Sequence, residues 1–395
     1  MRIAYLDPHP LTRPLPAVMQ IIQTVDAIAA LGVEIELIVP DAGAPHAIRE
    51  VLGRDLNPRA HITLIPDLSR HWWFPLHTNR PFFWRARRYL QHGHFDALLV
   101  RNLKLAGRLL HAPALAPLFF ETHEIFTQSF LDAHPATSRT TRRKHAHLLK
   151  LEQRVYTQST GLITITAALA HDVRTRFDTR CPISVAPDGV DLARAETARA
   201  STAPSATPIL LYLGSLHRWK GVETLVSAMQ EVRDAVLWIA GGEAQRINEL
   251  ERQAHALGVN EGVRFLGKVP PAQRFDLIGE ATICLLPLTH DNIASRYTSP
   301  LKLFEYMAMG KPIIAGDLPS IREVLASECN SLLVPPQDPL ALAAAINRLL
   351  AEPDLAEKLG QRAAADAKAY SWQARAQTIL TQIQHVLAGK ALERT

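Results

Sequence analysis

Ser299-Pro300-Leu301-Lys302-Leu303-Phe304-Glu305-Tyr306-Met307-Ala308-Met309-Gly310-Lys311-Pro312-Ile313-Ile314-Ala315 reads as a short helix with both ends written in, followed by a strand. Ser299 carries the hydroxyl of a good N-cap, and Pro300 suits the first helical position, where a missing N–H costs nothing. Gly310 supplies the left-handed residue that closes the helix, and Pro312 bars its continuation. The run from Pro312 to Gly316 then predicts a buried strand. Leu301, Phe304 and Ala308 fall at i, i+3 and i+7, so one stripe is expected to face a core. Glu305 lies at the edge of that stripe and Lys302 one turn before it. A carboxylate half turned toward a core requires a partner, because burying it alone is expensive. Two readings follow: an exposed Glu–Lys pair worth roughly 0.3 kcal/mol, or a helix N-terminus receiving a phosphate while Glu305 accepts hydrogen bonds from ligand hydroxyls.

Upstream of this segment, the strand Ile209–Leu213 leads into Gly214-Ser215-Leu216-His217-Arg218-Trp219-Lys220-Gly221, a glycine-bounded loop opening a helix. Backbone N–H groups and a cation meet phosphate oxygens in such loops. Val236–Ala240 runs into Gly241-Gly242-Glu243, a second turn of the same kind. Val263–Val269 and Ile283–Pro287 read as further strands, and His290 to Arg296 leads into the signature helix. Beyond Gly316 the pattern gives a helix, the strand Ser331–Val334 and a helix through Leu350.

The first half of the chain follows the same plan. Arg2–Leu6 is a strand, a Pro-rich loop spans Asp7–Pro16, and a helix from about Ala17 to Leu31 is followed by the strand Val33–Val39. This β-loop-α-β opening predicts a doubly wound parallel sheet, where ligands sit beyond the carboxyl ends of the strands. No G-x-G-x-x-G follows the first strand, which argues against an NAD enzyme. Phe95–Val100, Leu118–Phe120, Gly161–Thr166 and Ile183–Val185 are expected as strands, and His123 stands just past the second of these. Ala195–Pro208, rich in Ala, Ser, Thr and Pro, is expected as the core of an interdomain linker.

The length of 395 residues suits two domains, and 47% hydrophobic with 21% charged residues is a globular composition. No run of 18 apolar residues exists, and the N-terminus enters a strand directly without a secretory h-region. Cys181, Cys284 and Cys329 are too far apart for a metal or disulfide pattern, which suits a reducing cytoplasm. Residues 1–190 carry 22 Lys and Arg against 16 Asp and Glu, a net +6, while the remainder is near neutral. A basic half suggests an anionic partner or a solvated surface. His71-Trp72-Trp73-Phe74 and Phe82-Phe83-Trp84-Arg85-Ala86-Arg87-Arg88-Tyr89 interleave aromatics with arginines. Three readings stand: a helix packing its aromatics inward, an interfacial segment on an anionic membrane, or a surface for single-stranded nucleic acid, for which no recognition module is present.

Taken with its flanks, Ser299–Ala315 resembles the donor-binding signature of family 4 glycosyltransferases. The resemblance implies a GT-B fold: two Rossmann-like, doubly wound parallel-sheet α/β domains facing each other across a cleft. It places an acceptor-binding domain at 1–190, a linker at 191–208, a nucleotide-sugar-binding domain at 209–371 and a helix crossing back at 372–395. In that family two glutamates flank the signature helix. Glu305 matches the second, implying a hold on ribose hydroxyls, whereas Tyr297 stands in place of the first. Gly214–Gly221 resembles the family's diphosphate loop, in which Lys220 matches the clamping lysine, Ser215 stands where an arginine is usual, and Arg218 offers a substitute. Gly241 and Gly242 match a double glycine, and Gly267 and Val269 belong to the strand and loop beneath the base. Arg296, Ser299, Pro300, Leu301 and Lys302 complete the implied donor site, and His123 matches a histidine beside the donor sugar.

The implied activity is retaining transfer of a sugar from a nucleotide-sugar donor, UDP favoured over GDP, to a saccharide or lipid-linked saccharide acceptor. Such a step needs neither a metal nor another cofactor, and the departing phosphate takes the acceptor's proton. Cell-surface or exopolysaccharide synthesis in the cytoplasm, at the inner face of an anionic membrane, is the expected setting, with no nucleic-acid partner. A nucleotide-sugar epimerase of the same plan and a non-catalytic nucleotide-sugar-binding protein are the alternatives.

Overall fold

The apolar runs Ile3–Leu6, Ala97–Val100, Ile209–Leu213 and Ile283–Leu286 form strands buried along their length, as the inner strands of parallel sheets require. The computed structural model describes residues 1–67, 78–112, 115–134, 138–202, 205–290 and 293–392. The chain forms two compact units, Met1–Pro187 with Trp372–Thr395, and Asp188–Ser371. In the first unit β1 (Arg2–Leu6), β2 (Glu34–Asp41), β3 (Ala60–Pro66), β4 (Ala97–Val100), β5 (Leu118–Thr122), β6 (Gly161–Thr164) and β7 (Ile183–Val185) lie in the order β3-β2-β1-β4-β5-β6-β7. In the second, β8 (Ile209–Leu213), β9 (Val236–Ala240), β10 (Val263–Gly267), β11 (Ile283–Leu286), β12 (Ile313–Gly316) and β13 (Leu332–Val334) lie in the order β10-β9-β8-β11-β12-β13. Every pairing between these strands is parallel. The strand order reverses between β1 and β4 in one unit and between β8 and β11 in the other. Those are the switch points where ligands bind in open α/β sheets.

Side-chain alternation divides the second unit's core. Leu211 and Leu213 of β8 pack on one face with Phe304 and Met307, while Leu210 and Tyr212 pack on the other with Leu237 and Ile239. The helix Leu301–Ala308 is buried from Lys302 to Ala308, so the expected single stripe is replaced by burial on every side. Its cap differs too. Pro300 takes the N-cap position in an extended conformation, and Ser299 instead accepts a hydrogen bond from the Asp188 N–H at 3.0 Å. Gly310 does adopt the left-handed conformation, with φ of 65°.

Two segments read differently in three dimensions. The expected linker at 191–208 holds a helix, Leu192–Ser201, whose Asp191 cap accepts from Arg194 N–H and whose Ala195 and Ala198 enter the second unit's core. Its alanines follow a helical spacing too short and too weakly apolar to stand out. Residues 80–92 form a helix with Phe82 and Phe83 buried, while Trp84 is 60% exposed. The His71–Phe74 cluster lies outside the described residues.

The C-terminal helix Trp372–Leu392 packs on Pro16–Ala30, β6 and β7 within the first unit. Arg375 fastens it. Its guanidinium donates to Glu121 Oε1 at 2.5 Å and to Thr24 Oγ1 at 3.2 Å, and it also reaches the Ala186 and Pro187 carbonyls. Both charged side chains are 1% exposed. Burial alone would raise the Glu121 pKa, but Arg375 and a hydrogen bond from His123 hold it well below the usual carboxylate range. Removing one member of such a pair leaves a buried charge uncompensated, at a cost of about 3–5 kcal/mol. Arg375→Met is therefore expected to lower the urea midpoint of the first unit's unfolding, and adding Glu121→Gln should restore part of it. An unchanged midpoint in Arg375→Met would refute the fastening role.

Candidate active site

β8 ends at Gly214, where φ of 140° admits glycine and where an added Cβ would lie 3.3 Å from the Lys302 ammonium. Gly241 follows β9 with φ of 119°, and its own Cβ would collide with the Gly214 carbonyl. The two backbones thus close together just beyond the carboxyl ends of β8 and β9, and the Gly241 N–H donates to the Gly267 carbonyl at 2.5 Å. The short 3-10 helix Arg218–Lys220 follows, ending at left-handed Gly221.

Lys302 and Lys220 converge there. The Lys302 ammonium is buried, sits 3.6 Å from the Tyr212 ring centroid, and has no hydrogen-bond partner among the described residues. Burial pushes its pKa well down, and Lys220 and Arg274 push in the same direction against the opposing pull of Glu305. Lys220 is partly buried, lies 3.5 Å from the Trp219 ring centroid, and is pushed down by desolvation to about 7. Glu305 is buried with Arg274, whose Nη2 donates to Oε2 at 2.6 Å. The exposed Glu–Lys pair is thereby excluded. One carboxylate already shared with an arginine leaves two ammonium groups without an anion, at the start of a helix that favours negative charge.

The other expected donor residues scatter around this centre. Ser215 is exposed, and its carbonyl accepts from the Tyr212 hydroxyl at 2.6 Å. Arg218 is exposed and its charge acts on Glu249. Arg296 is exposed with its guanidinium 5.9 Å from the Tyr297 ring, and Tyr297 itself is 1% exposed. Gly242, Gly267, Val269, Ser299, Pro300 and Leu301 are all partly buried. Arg274 and Tyr212 were not anticipated. An arginine within an ordinary amphipathic helix and a tyrosine within an apolar strand carry no local signal of a site.

In the first unit His123 follows β5. Arg101, just past β4, donates to its Nδ1 at 3.3 Å, so Nε2 carries the proton and donates to Glu121 Oε1 at 2.6 Å. Both ring nitrogens are thereby engaged. Among the described residues no group of three or more His, Cys, Asp or Glu is placed to hold a metal ion, and no helix is long and apolar enough to cross a membrane.

Comparison with known proteins completes this geometry. The model of Glycosyltransferase Family 4 matches residues 17–194, and that of Glycosyl transferases group 1 matches residues 207–352. The chain belongs to the family 4 glycosyltransferases. It is 29% identical over 248 residues to a D-inositol 3-phosphate glycosyltransferase of Corynebacterium jeikeium, covering 58% of each chain. This family member thus spans less than two thirds of the curated relatives it matches first. Its fold is GT-B, shared with a sucrose-phosphate synthase of Thermosynechococcus elongatus (TM-score 0.75, 22% identity, 98% of this chain and 99% of that one). It is also shared with Anabaena Alr3699/HepE in complex with UDP (TM-score 0.72, 17% identity, 98% and 100%).

Lys220 supplies a test of this charge state. Its pKa lies below that of the unfolded chain, so between about pH 7 and pH 10.4 the unfolded state binds more protons and folding gains stability as pH rises. Relative to Lys220→Met, the wild type is expected to be least stable at pH 6–7 and to draw level or ahead by pH 10, read as the difference in melting temperature. A difference independent of pH would show that Lys220 titrates normally.

Proposed function

We propose that the chain is a retaining glycosyltransferase that moves a sugar from a UDP-sugar to a saccharide or lipid-linked saccharide acceptor in surface or extracellular polysaccharide synthesis. The observation that carries this reading is the Lys302 ammonium, buried without a hydrogen-bond partner beside Lys220 at the start of a helix. A diphosphate neutralises both cations at once. Its charge grows as the glycosidic bond breaks, so preorganised cations in a desolvated site stabilise the transition state more than the ground state. Glu305, fixed by Arg274, then offers its second oxygen to ribose hydroxyls. UDP is favoured because the Anabaena structure of the same fold holds UDP. The two lysines supply the positive charge, so the reaction is expected to proceed without a divalent cation, and retention follows the family resemblance of the signature helix.

Calorimetric titration with UDP and GDP, followed by nucleotide release from a panel of UDP- and GDP-hexoses in EDTA, tests this. The wild type should bind one nucleotide in the micromolar range and release it in EDTA. Glu305→Ala and Lys220→Ala should each weaken binding or release about 10- to 1000-fold while keeping the melting transition. Full activity in both variants would sink the site assignment.

A second observation supports association with an anionic membrane. Trp84 is 60% exposed with the Arg88 guanidinium 5.8 Å from its ring, beside a cavity of about 770 Å³ lined by Arg2, Arg85, Arg88, Tyr89, His92 and His94. Co-sedimentation with phosphatidylglycerol vesicles should weaken roughly fivefold in Arg88→Ala, consistent with about 1 kcal/mol per basic residue near the surface. Absence of wild-type binding at low salt would remove this reading.

A further inference from the structure

The loop Gly214–Gly221 is held by contacts outside itself. Leu216 is 3% exposed, and its side chain fills the space that a Cβ on Gly242 would need. Further along, the Trp219 carbonyl accepts from the Thr289 N–H at 3.0 Å, and a Cβ on Gly221 would collide with the Pro287 carbonyl. Between these anchors the Lys220 N–H donates to the His217 carbonyl at 2.8 Å. The place of Lys220 thus depends on how Leu216 and Trp219 are held.

Arg246 closes the Leu216 end. It lies in the first turn of the helix Ala244–Ala256, and its Nε donates to the Leu216 carbonyl at 3.0 Å. Nη1 donates to Glu249 Oε2 at 2.5 Å, and Nη2 donates to Glu223 Oε1. One planar fork thereby joins the loop after β8, the helix Val222–Ala228 and the helix after β9. The helix dipole opposes a cation in the first turn, so helix formation does not account for Arg246. A solvated ion pair does not account for it either. The Arg246 side chain is 18% exposed, and Glu223 Oε2 is buried without a hydrogen bond among the described residues. A lysine would carry the same charge, whereas a guanidinium reaches three acceptors in fixed directions. Each of its three nitrogens is engaged, which suits support of the loop rather than direct capture of a phosphate.

We propose that Arg246 is a positioning residue of the donor site: by holding the Leu216 carbonyl it sets the path of Gly214–Gly221 and so places the Lys220 ammonium for the phosphates of a nucleoside diphosphate. This rests on the proposed donor site and lies entirely within the second unit.

A double-mutant cycle on the full chain tests it, with calorimetric titration to millimolar concentrations of UDP or GDP, whichever the wild type binds more tightly. Arg246→Lys is expected to weaken binding roughly tenfold. In the Lys220→Met background the same substitution should change affinity less than about twofold, because the ammonium that the loop places is gone. Arg246→Gln combined with Glu223→Gln removes the buried carboxylate's charge together with its partner. That variant is expected to keep its melting transition and still to lose affinity about tenfold, since the Leu216 carbonyl has lost its donor. Wild-type affinity in Arg246→Lys, or an equal loss in both backgrounds, would overturn the positioning role while the donor-site reading stands. Should the wild type bind neither nucleotide, the donor-site reading fails and this inference with it.

Discussion

The structure of the second unit is constrained by the ammonium of Lys302, held out of water without an anion. A cation in that position is tolerated only because its surroundings are arranged for it. The Tyr212 ring faces it, Gly214 removes the Cβ that would crowd it, and Arg274 prevents Glu305 from neutralising it outright. Lys220 adds a second cation to the same place. Both lysines oppose folding, and the two apolar layers around β8 must outweigh them. Local rules are broken at the proposed donor site, and the stabilisation comes from the core.

The first unit handles charge in the opposite way. Glu121, Arg375, His123 and Arg101 form a chain in which each group has its counterpart, so burial there fixes geometry. His123 is held by both nitrogens and is better suited to shaping the end of β5 than to exchanging a proton.

Much of this was legible in the sequence. The apolar runs that become β1, β8, β9, β11 and β12 read correctly because strands buried on both faces have no polar alternation to misinterpret. Gly310 and the position of Glu305 were equally plain. The edge strand β3 escaped notice because His61 and Thr63 interrupt its apolar residues and only Ile65 within the strand is buried. The cap at Pro300 departed from the local rule because Ser299 is drawn to the Asp188 backbone, 111 residues away. Arg274 and Arg375 were invisible for the same reason. Their partners lie 31 and 254 residues distant, and no local pattern marks an arginine as bound for a buried carboxylate.

The return of the C-terminal helix also sets an order of events during synthesis. The second unit is one continuous stretch, Asp188–Ser371, whereas the first is completed only by Trp372 onward. A ribosome adding about 5–20 residues per second delivers Arg375 roughly 13–50 s after Glu121. Through that interval the nascent first sheet carries the Glu121 carboxylate without the Arg375 guanidinium, and the later unit has all its strands before Arg375 is added. The earlier-made half is therefore the one that waits for closure.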